Sequence, residues 1–461
     1  MRSVDHLERA PSPPGQATPV QFAGLSLTEF WERFALAGLK SMLTLLLIGH
    51  VLLPEAGVAG TAWLQDRFDG SSGPGKEPVA LASYIYGAAN ALVYLSIPVG
   101  GLIGDLLIGR RAAVLTGGAS MIAGLLMMIS LRGFLPGLLL FASGAGLLKG
   151  NLSAQFGALF AEEAQRRRAY SYYLIFLNAG VVFGPLAMGV VAMAASWQYA
   201  LALAAVGIAV GLAIYMVLMG GSAGWLAPRQ GPRAEGGVTR ASRAAEPLAF
   251  LRLLLALLAV YLCFAAYGQI GNILLVWAER RVDLEFGGWT LPVGWVLALD
   301  GLFTILLVFA VQAALRFALR RGFGIGPFLQ TSLGCLACAA GYFVLVLAER
   351  TGGTTLSPAW VVAYLLLVDL AIVLVWPSGL SLATGLAPGG KAGLWGGIFY
   401  LHGFFANLWV GFAGRLFETW PVQSFWLLHA AIALVGAALA LLAALPVPRA
   451  NAAGQAITTS A

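Results

Sequence analysis

Long apolar segments recur along nearly the whole chain, each close to the ~20 residues that an α-helix needs to cross a bilayer. Short stretches rich in Gly, Pro and Arg separate them. A soluble protein would instead confine its apolar residues to one face of each helix or strand. The pattern predicts an all-α membrane protein with twelve transmembrane helices, over residues 23–53, 80–104, 112–131, 134–160, 170–194, 197–220, 249–278, 291–315, 323–348, 358–386, 392–414 and 422–446.

The composition agrees with this interpretation. Of the 461 residues, 59% are hydrophobic and 10% are charged, whereas a soluble domain carries roughly 25% charged residues. The net charge of +7 could indicate a nucleic-acid-binding protein. The arginines, however, lie in short loops between apolar segments, without the basic stripe interleaved with aromatic residues that nucleic-acid binding favours. We therefore expect no nucleic-acid partner.

The distribution of Arg and Lys predicts the topology. An even number of spans places both termini on one side, and that side carries more than twice as many Arg and Lys residues as the other. By the positive-inside rule, residues 1–22 and 447–461 are cytoplasmic tails. The polar, Pro-containing start is not typical of a signal peptide. Arg greatly outnumbers Lys, and Ala and Gly are abundant, which indicates a GC-rich bacterial genome. For a bacterial protein with many membrane spans we expect a location in the inner (plasma) membrane.

Residues 221–248 differ from the rest of the chain, being rich in Gly, Pro, Ala and Arg without apolar periodicity. They are predicted to form a flexible cytoplasmic linker. This linker divides the chain into an N-terminal six-helix bundle at 23–220 and a C-terminal six-helix bundle at 249–446. Two such bundles are the arrangement that a rocking transporter of the major facilitator type requires.

Charged residues within the apolar segments are few, and they concentrate on the first helix. A charge at the bilayer centre costs ~2.5–3.5 kcal/mol on insertion scales, so it usually faces a cavity and has a partner. With 100° per residue, Glu29, Arg33 and Lys40 fall within about 40° of one line, and Glu32 lies about 60° to the side. We interpret this stripe as the wall of a functional cavity, although a purely structural ion-pair network is the alternative.

Lys149, in the fourth span, has no acid near it on its own helix, so the acids of the first helix are its candidate partners. A neighbouring cation favours the ionised form of a carboxylate, whereas burial disfavours it. A carboxylate under both influences can gain a proton when its cavity changes exposure, which is what a proton-coupled carrier requires. Asp300 and Asp369 stand alone in the eighth and tenth spans, and a cavity role and a helix-packing role both remain open for them.

The chain shows no arrangement typical of an enzyme or a metal site. None of its four histidines, His6, His50, His402 and His429, is spaced as a ligand with Cys, Asp or Glu. His402 could be a proton relay or a helix-packing residue. We therefore predict a transporter rather than an enzyme, with no cofactor and no metal, and with protons as the coupling ion.

Several segments, in chain order, resemble motifs of the proton-dependent oligopeptide transporter family within the major facilitator superfamily. The first-helix segment Glu29–Phe34, EFWERF, is similar to the ExxERF motif, and Gly100–Arg111 looks like the superfamily's loop motif between helices two and three. Lys149–Ser153, KGNLS, resembles the KPNIS segment. Further similarities are found at Tyr94–Pro98, Asn178–Gly180, Gln269–Asn272 and Trp376–Pro388.

The resemblance implies a monomeric proton-coupled symporter of di- and tripeptides or peptide-like solutes that works by alternating access, with the solute, protons and the lipid bilayer as its partners. It implies a proton-coupling cluster of Glu29, Glu32, Arg33 and Lys149. It also implies substrate-binding residues, namely Arg33, Lys40, Tyr94, Asn178, Gln269, Asp369 and Phe399. Gating is implied for the loop-motif residues Gly101, Asp105, Gly109, Arg110 and Arg111.

The sequence departs from the family pattern mainly where peptides are expected to bind. Leu36 and Ala37 replace two tyrosines, and Gly268 replaces the acid of the seventh helix. The acid of the tenth helix aligns with Ile372, and Asp369, one helical turn away, is its candidate replacement. These departures leave open a proton-coupled carrier of another small solute, such as an organic anion or a drug.

Overall fold

The computed structural model describes residues 19–58, 60–61, 63–64, 78–159, 163–219, 247–387 and 392–445, and nearly all of this part is helical. Thirteen α-helices have described bounds. In chain order they are α1 Pro19–Leu46, α2 Val79–Ile103, α3 Arg110–Met128, α4 Phe134–Ala158, α5 Glu163–Ala194, α6 Trp197–Met219, α7 Pro247–Tyr267, α8 Ile273–Arg281, α9 Trp295–Arg320, α10 Pro327–Arg350, α11 Ala359–Gly385, α12 Ala392–Thr419 and α13 Val422–Ala444.

The predicted all-α membrane fold is confirmed. Within the described residues, eleven helices are long and apolar enough to cross a membrane. At the position of the predicted eleventh span, α12 is 28 residues long, and its glycines together with His402 and Asn407 dilute its hydropathy. All predicted spans but one coincide with a single helix, with ends that agree to within seven residues, because bilayer thickness dictates the length of every apolar segment.

The seventh predicted span is the exception, since it breaks into α7 and α8 at a 3-10 turn, Gly268–Gly271. Glycine weakens a helix, and a Cβ atom at Gly271 would collide with the hydroxyl of Tyr86. A hairpin of two short antiparallel strands then follows, β1 Glu285–Phe286 and β2 Trp289–Thr290. Its turn residues, Gly287 and Gly288, have φ of 58° and 80°, the left-handed backbone that such a turn requires. Neither the break nor the hairpin was predicted from the sequence.

The described helices form two compact units. The first unit contains α1–α6 together with Ile270–Arg280 and Leu284–Ile305. The second unit contains the stretch from the start of α7 to Gln269, Arg281–Asp283, and the described residues from Leu306 onward. In the first unit, α1 packs on α5 and α6, and α4 packs on α2 and α3. In the second, α13 packs on α7 and α10, and α10 also packs on α11. Residues 221–246 of the predicted linker, residues 1–18 of the predicted N-terminal tail and the whole predicted C-terminal tail lie outside the described residues.

Helices α3 and α4 are in backbone contact through two reciprocal glycine pairs. A Cβ atom at Gly117 would lie 2.8 Å from the carbonyl oxygen of Gly144, and one at Gly144 would lie 2.6 Å from that of Gly117. Gly124 and Gly137 repeat the arrangement at 2.5 and 2.6 Å. Small residues spaced in this way allow close helix packing in membranes, where van der Waals contact is a main driving force.

Replacing Gly124 with Val should therefore destabilise the protein, because the added side chain meets backbone atoms of α4 that cannot move aside. Overpacking of this kind costs about 1–3 kcal/mol. Thermal unfolding of the detergent-solubilised protein, followed by size-exclusion chromatography, should show a lower Tm. Gly397→Val is the matched control, since a Cβ atom at helical Gly397 meets nothing within 4 Å. Equal Tm changes in the two variants would contradict the proposed packing role.

Candidate functional site

The centre of the candidate site is a buried cluster of two acids and one base on α1. Glu29 and Glu32 are 0% and 1% exposed, and Arg33 is 9% exposed. Arg33 Nε lies 3.1 Å from Glu29 Oε1 and 3.1 Å from Glu32 Oε2. Helical periodicity brings Glu29 and Arg33 together as i,i+4 neighbours. One guanidinium group is therefore shared between two carboxylates.

This sharing leaves the cluster with one excess negative charge when both carboxylates are ionised. Among the described residues, Glu32 Oε1 is buried without a hydrogen-bond partner. A buried charge that is incompletely paired costs several kcal/mol. One proton held by the two carboxylates would make the cluster neutral, so the arrangement has the chemistry of a proton-binding site.

Close packing of α5 against α1 holds Arg33 in place. A Cβ atom at Gly180 would lie 2.7 Å from Arg33 Cβ and 3.0 Å from the backbone nitrogen of Phe34. Gly184 makes a similar approach one turn later, where a Cβ atom would lie 2.9 Å from the carbonyl carbon of Phe34. On the same helix, buried Tyr173 interacts electrostatically with Glu29 and Arg33. The Asn178–Gly180 motif thus contributes its glycine to the contact between the two helices.

A cavity of about 130 Å³ lies beside this cluster, entirely within the first unit. Three cationic residues and one acid line it, and one of these cations is Arg33, whose charge the two carboxylates of the cluster already share. The lining residues are Arg33, Lys40, Lys149 and Asp300, the polar Asn90 and Tyr94, and the apolar Leu36, Ala37, Val93, Ile97, Val181 and Leu297. Four residues singled out in the sequence, Arg33, Lys40, Tyr94 and Lys149, are thereby brought together from α1, α2 and α4.

Lys149 lies on the cavity wall, whereas the ion pairs described for Glu29 and Glu32 are both with Arg33. Direct pairing of Lys149 with these acids therefore stays a prediction. Arg33 is the residue that belongs to both the acid–base cluster and the cavity wall. It thus connects the proton-binding chemistry to the space in which a solute could bind.

Asp300, for which a cavity role and a packing role were both open, lines the cavity, and so does Asn90, which was not singled out from the sequence. Asp300, on α9, interacts electrostatically with Lys40 across the cavity. A lone acid in an apolar span is a signal of function, but the sequence does not show which way its helix turns. The structure places this acid among the cations.

Three predicted substrate-binding residues lie in the second unit, and all are fully buried: Gln269 in the Gly268–Gly271 turn, Asp369 in α11 and Phe399 in α12. The ring of Phe399 packs 4.9 Å from that of His402, whose Nδ1 lies 2.7 Å from the Phe399 carbonyl oxygen. These contacts favour the helix-packing interpretation of His402.

Asn178, on α5, is half-buried and is not among the residues that line the cavity. Its Nδ2 donates to the carbonyl oxygen of Leu174 at 2.9 Å, within its own helix. The structure therefore does not bring Asn178 into the cavity with the other residues singled out in the first unit.

The loop motif joins α2 to α3. Asp105 Oδ1 lies 2.6 Å from Arg110 Nε in a partly exposed ion pair, and Gly109 between them has φ of 81°. Asn151, on α4, donates to the Gly100 carbonyl oxygen at 2.7 Å. A Cβ atom at Gly104 would collide with Asn151 Oδ1. Asn151 thus fastens the end of α2 to α4, a role that its place in the KGNLS segment did not show.

Comparison with known proteins extends the resemblance beyond single motifs. A family model described as the Major Facilitator Superfamily matches residues 69–411. The uncharacterized transporter YclF of Bacillus subtilis (strain 168) is 27% identical over 79% of this chain and 81% of its own length. The peptide transporter YePEPT of Yersinia enterocolitica is 25% identical over 86% of this chain and 87% of its own. A crystal structure of a mutant peptide transporter POT in complex with alafosfalin has a TM-score of 0.80 at 23% identity, covering 96% of this chain and 98% of that one.

Replacing Arg33 with Gln should strongly destabilise the protein, because it leaves two buried carboxylates without their cation. Breaking a buried ion pair in this way costs about 3–5 kcal/mol. We expect a clearly lower Tm in detergent, and recovery of much of that loss in the triple variant Glu29→Gln, Glu32→Gln, Arg33→Gln.

Arg110→Gln is the matched control for this prediction. It removes the exposed partner of Asp105, and exposed pairs contribute only about 0–1 kcal/mol. A similar Tm for the Arg33 and Arg110 variants would show that the α1 cluster does not stabilise the fold.

Proposed function

Because the chain belongs to the major facilitator superfamily, we propose that it is a proton-coupled symporter of di- and tripeptides or peptide-like solutes that works by alternating access. The superfamily consists of transporters and not of enzymes, and the chain is a multi-pass membrane protein. The observation that carries the proposal is the double position of Arg33, between two buried carboxylates and on the wall of the cavity.

The proposed coupling follows from this position. When the cavity opens to the side of higher proton concentration, a proton binds to Glu29 or Glu32 and removes the excess negative charge. The guanidinium of Arg33 is then less strongly held by the carboxylates, and its N–H groups can bind an anionic group of the solute. Lys149 lies on the same wall, so its positive charge interacts electrostatically with both the carboxylates and the bound solute. Proton and solute therefore favour the same state, which is the requirement for symport.

The cationic wall supports a solute that carries a carboxylate. Arg33, Lys40 and Lys149 can make charge-assisted hydrogen bonds to such a group. YePEPT is named a peptide transporter, and the POT structure contains alafosfalin. Together these similarities support peptides as the solute class. We also propose that the protein is a monomer in the bacterial inner membrane with both termini in the cytoplasm.

A second candidate function is proton-coupled transport of another small solute, such as an organic anion or a drug. Leu36 and Ala37, which stand where the family usually has tyrosines, both line the cavity. These two departures from the family pattern therefore fall where a solute would touch the protein. The cationic residues of the wall would suit a solute that has an anionic group and no amine.

Proteoliposome uptake tests the proposal directly. With an inward proton gradient, the wild-type protein should accumulate dialanine above its equilibrium level. Glu32→Gln and Lys149→Ala should reduce this accumulation to the level of protein-free liposomes, while both variants retain part of the exchange of labelled for unlabelled peptide. The reason is that each removes a charge that links proton binding to solute binding, without removing the cavity.

Glu285→Gln, an acid-to-amide change in the exposed β1–β2 hairpin, is the control and should accumulate peptide as the wild type does. Uphill uptake that persists in both cavity variants would overturn the coupling proposal. Absence of peptide uptake by the wild-type protein would overturn the peptide assignment and leave the transporter family unchanged.

Two acids are candidates for binding the amine of a peptide: Asp300 on the cavity wall and Asp369 in α11. The acid that receives the amine should, when replaced with Asn, lose the preference for dialanine over N-acetyl-dialanine. A hydrogen bond to a charged group contributes ~1.5–3 kcal/mol, so the loss should be about 10- to 100-fold in KM. We expect this loss for Asp300→Asn, because Asp300 is the acid that faces the cavity.

The same comparison tests the expectation for Asp369. Loss of the preference in Asp369→Asn alone would assign the amine to α11. An unchanged preference in both variants would argue against an amine receptor at either acid and would favour the anion carrier.

A further inference from the structure

A buried hydrogen-bond network in the second unit has no role in the mechanism above. His429, on α13, is fully buried, and its two ring nitrogens have different neighbours. Nδ1 lies 2.9 Å from the carbonyl oxygen of Phe425, one turn earlier on the same helix. Nε2 lies 3.4 Å from Trp409 Nε1 and 3.2 Å from Gln269 Nε2.

Two of these neighbours can act only as donor or only as acceptor, and together they determine which ring nitrogen of His429 carries the proton. A backbone carbonyl oxygen can only accept, so Nδ1 of His429 must carry a proton. The indole nitrogen of Trp409 can only donate, so Nε2 of His429 must be the unprotonated acceptor. The ring is therefore neutral, with its proton on Nδ1.

The imidazole in turn fixes the amide of Gln269. An amide side chain presents either its oxygen or its NH2 group to a neighbour. Since Nε2 of His429 is an acceptor, only the NH2 group of Gln269 can face it. The amide oxygen then points away, and in the described part of the chain Gln269 Oε1 is buried without a hydrogen-bond partner.

The position of Gln269 in the chain suggests a binding partner for this amide oxygen. It lies in the Gly268–Gly271 turn, which interrupts a transmembrane segment between α7 and α8. Interrupted helices at membrane depth mark solute sites in many transporters, because irregular backbone is tolerated there only in protein interiors or beside cavities. A buried acceptor without a partner costs roughly 1–3 kcal/mol, and a solute N–H donor would satisfy it.

We propose that His429 is a positioning residue that turns the amide of Gln269 so that its carbonyl oxygen is offered to an N–H donor of the transported solute. The solute part of this proposal rests on the proposed function, whereas the imidazole and amide geometry does not. Trp409 and Phe425 act indirectly, because their contacts determine which ring nitrogen of His429 accepts a hydrogen bond.

Nitrogen NMR of the histidine-labelled protein in nanodiscs tests the geometry without transport. The chain has four histidines, so the His429 signals can be assigned by comparison with the His429→Phe variant. We expect a proton on Nδ1, an unprotonated Nε2, and the side-chain amide protons of Gln269 close to Nε2. A proton on Nε2, or on both nitrogens, would overturn the proposal.

Transport kinetics test the consequence. His429→Phe keeps a ring of similar size but offers no acceptor, so the amide of Gln269 can turn. KM for dialanine should rise about three- to tenfold, as expected for one misdirected hydrogen bond, while kcat stays within about twofold because the α1 cluster is unchanged. His429→Gln can present its own amide oxygen to Gln269 and should recover most of the wild-type KM.

The outcomes separate positioning from packing. A wild-type KM in His429→Phe, or an equal loss in the Phe and Gln variants, would overturn the positioning role. If the wild-type protein carries no dialanine, that failure belongs to the proposed function. The NMR measurement then still decides whether His429 orients Gln269.

Discussion

The interaction on which the candidate site depends is the sharing of one guanidinium between two carboxylates in a low-dielectric interior. In water, three such charges would be solvated independently and would interact weakly. Buried on α1, Glu29, Glu32 and Arg33 cannot all remain charged without leaving an excess negative charge on this cluster. In the proposed mechanism the cluster therefore responds to protons, and because Arg33 also lines the cavity, it responds to an anionic solute as well.

The overall fold was largely predictable from the sequence. Bilayer thickness sets the length of each apolar segment, so eleven of the twelve predicted spans could be matched to single helices. The break at Gly268–Gly271 could not be predicted, because glycine is common in unbroken transmembrane helices. What requires glycine there is the approach of Tyr86 to Gly271, and the sequence does not show this long-range contact.

The candidate site was predictable where helical periodicity alone determines proximity. Glu29, Arg33 and Lys40 recur at helical spacing on one helix, so their common face follows from the sequence. Asp300 was left open because a single acid on an apolar helix carries no periodicity that would orient it. For Asn178 the motif suggested a role in the site that the structure does not support. Its side chain instead donates a hydrogen bond to the backbone of its own helix.

The paired glycines of α3 and α4 bear on how Lys149 can move. Two backbone contacts, one heptad apart on each helix, prevent the helices from sliding or rolling past each other without steric collision. Lys149 lies on α4 only five residues beyond Gly144, and Asn151 ties the same stretch to the end of α2. The backbone of Lys149 is therefore held rigidly by the packing of α2, α3 and α4. Any displacement of its ammonium group that is larger than a side-chain rotation must move these three helices together.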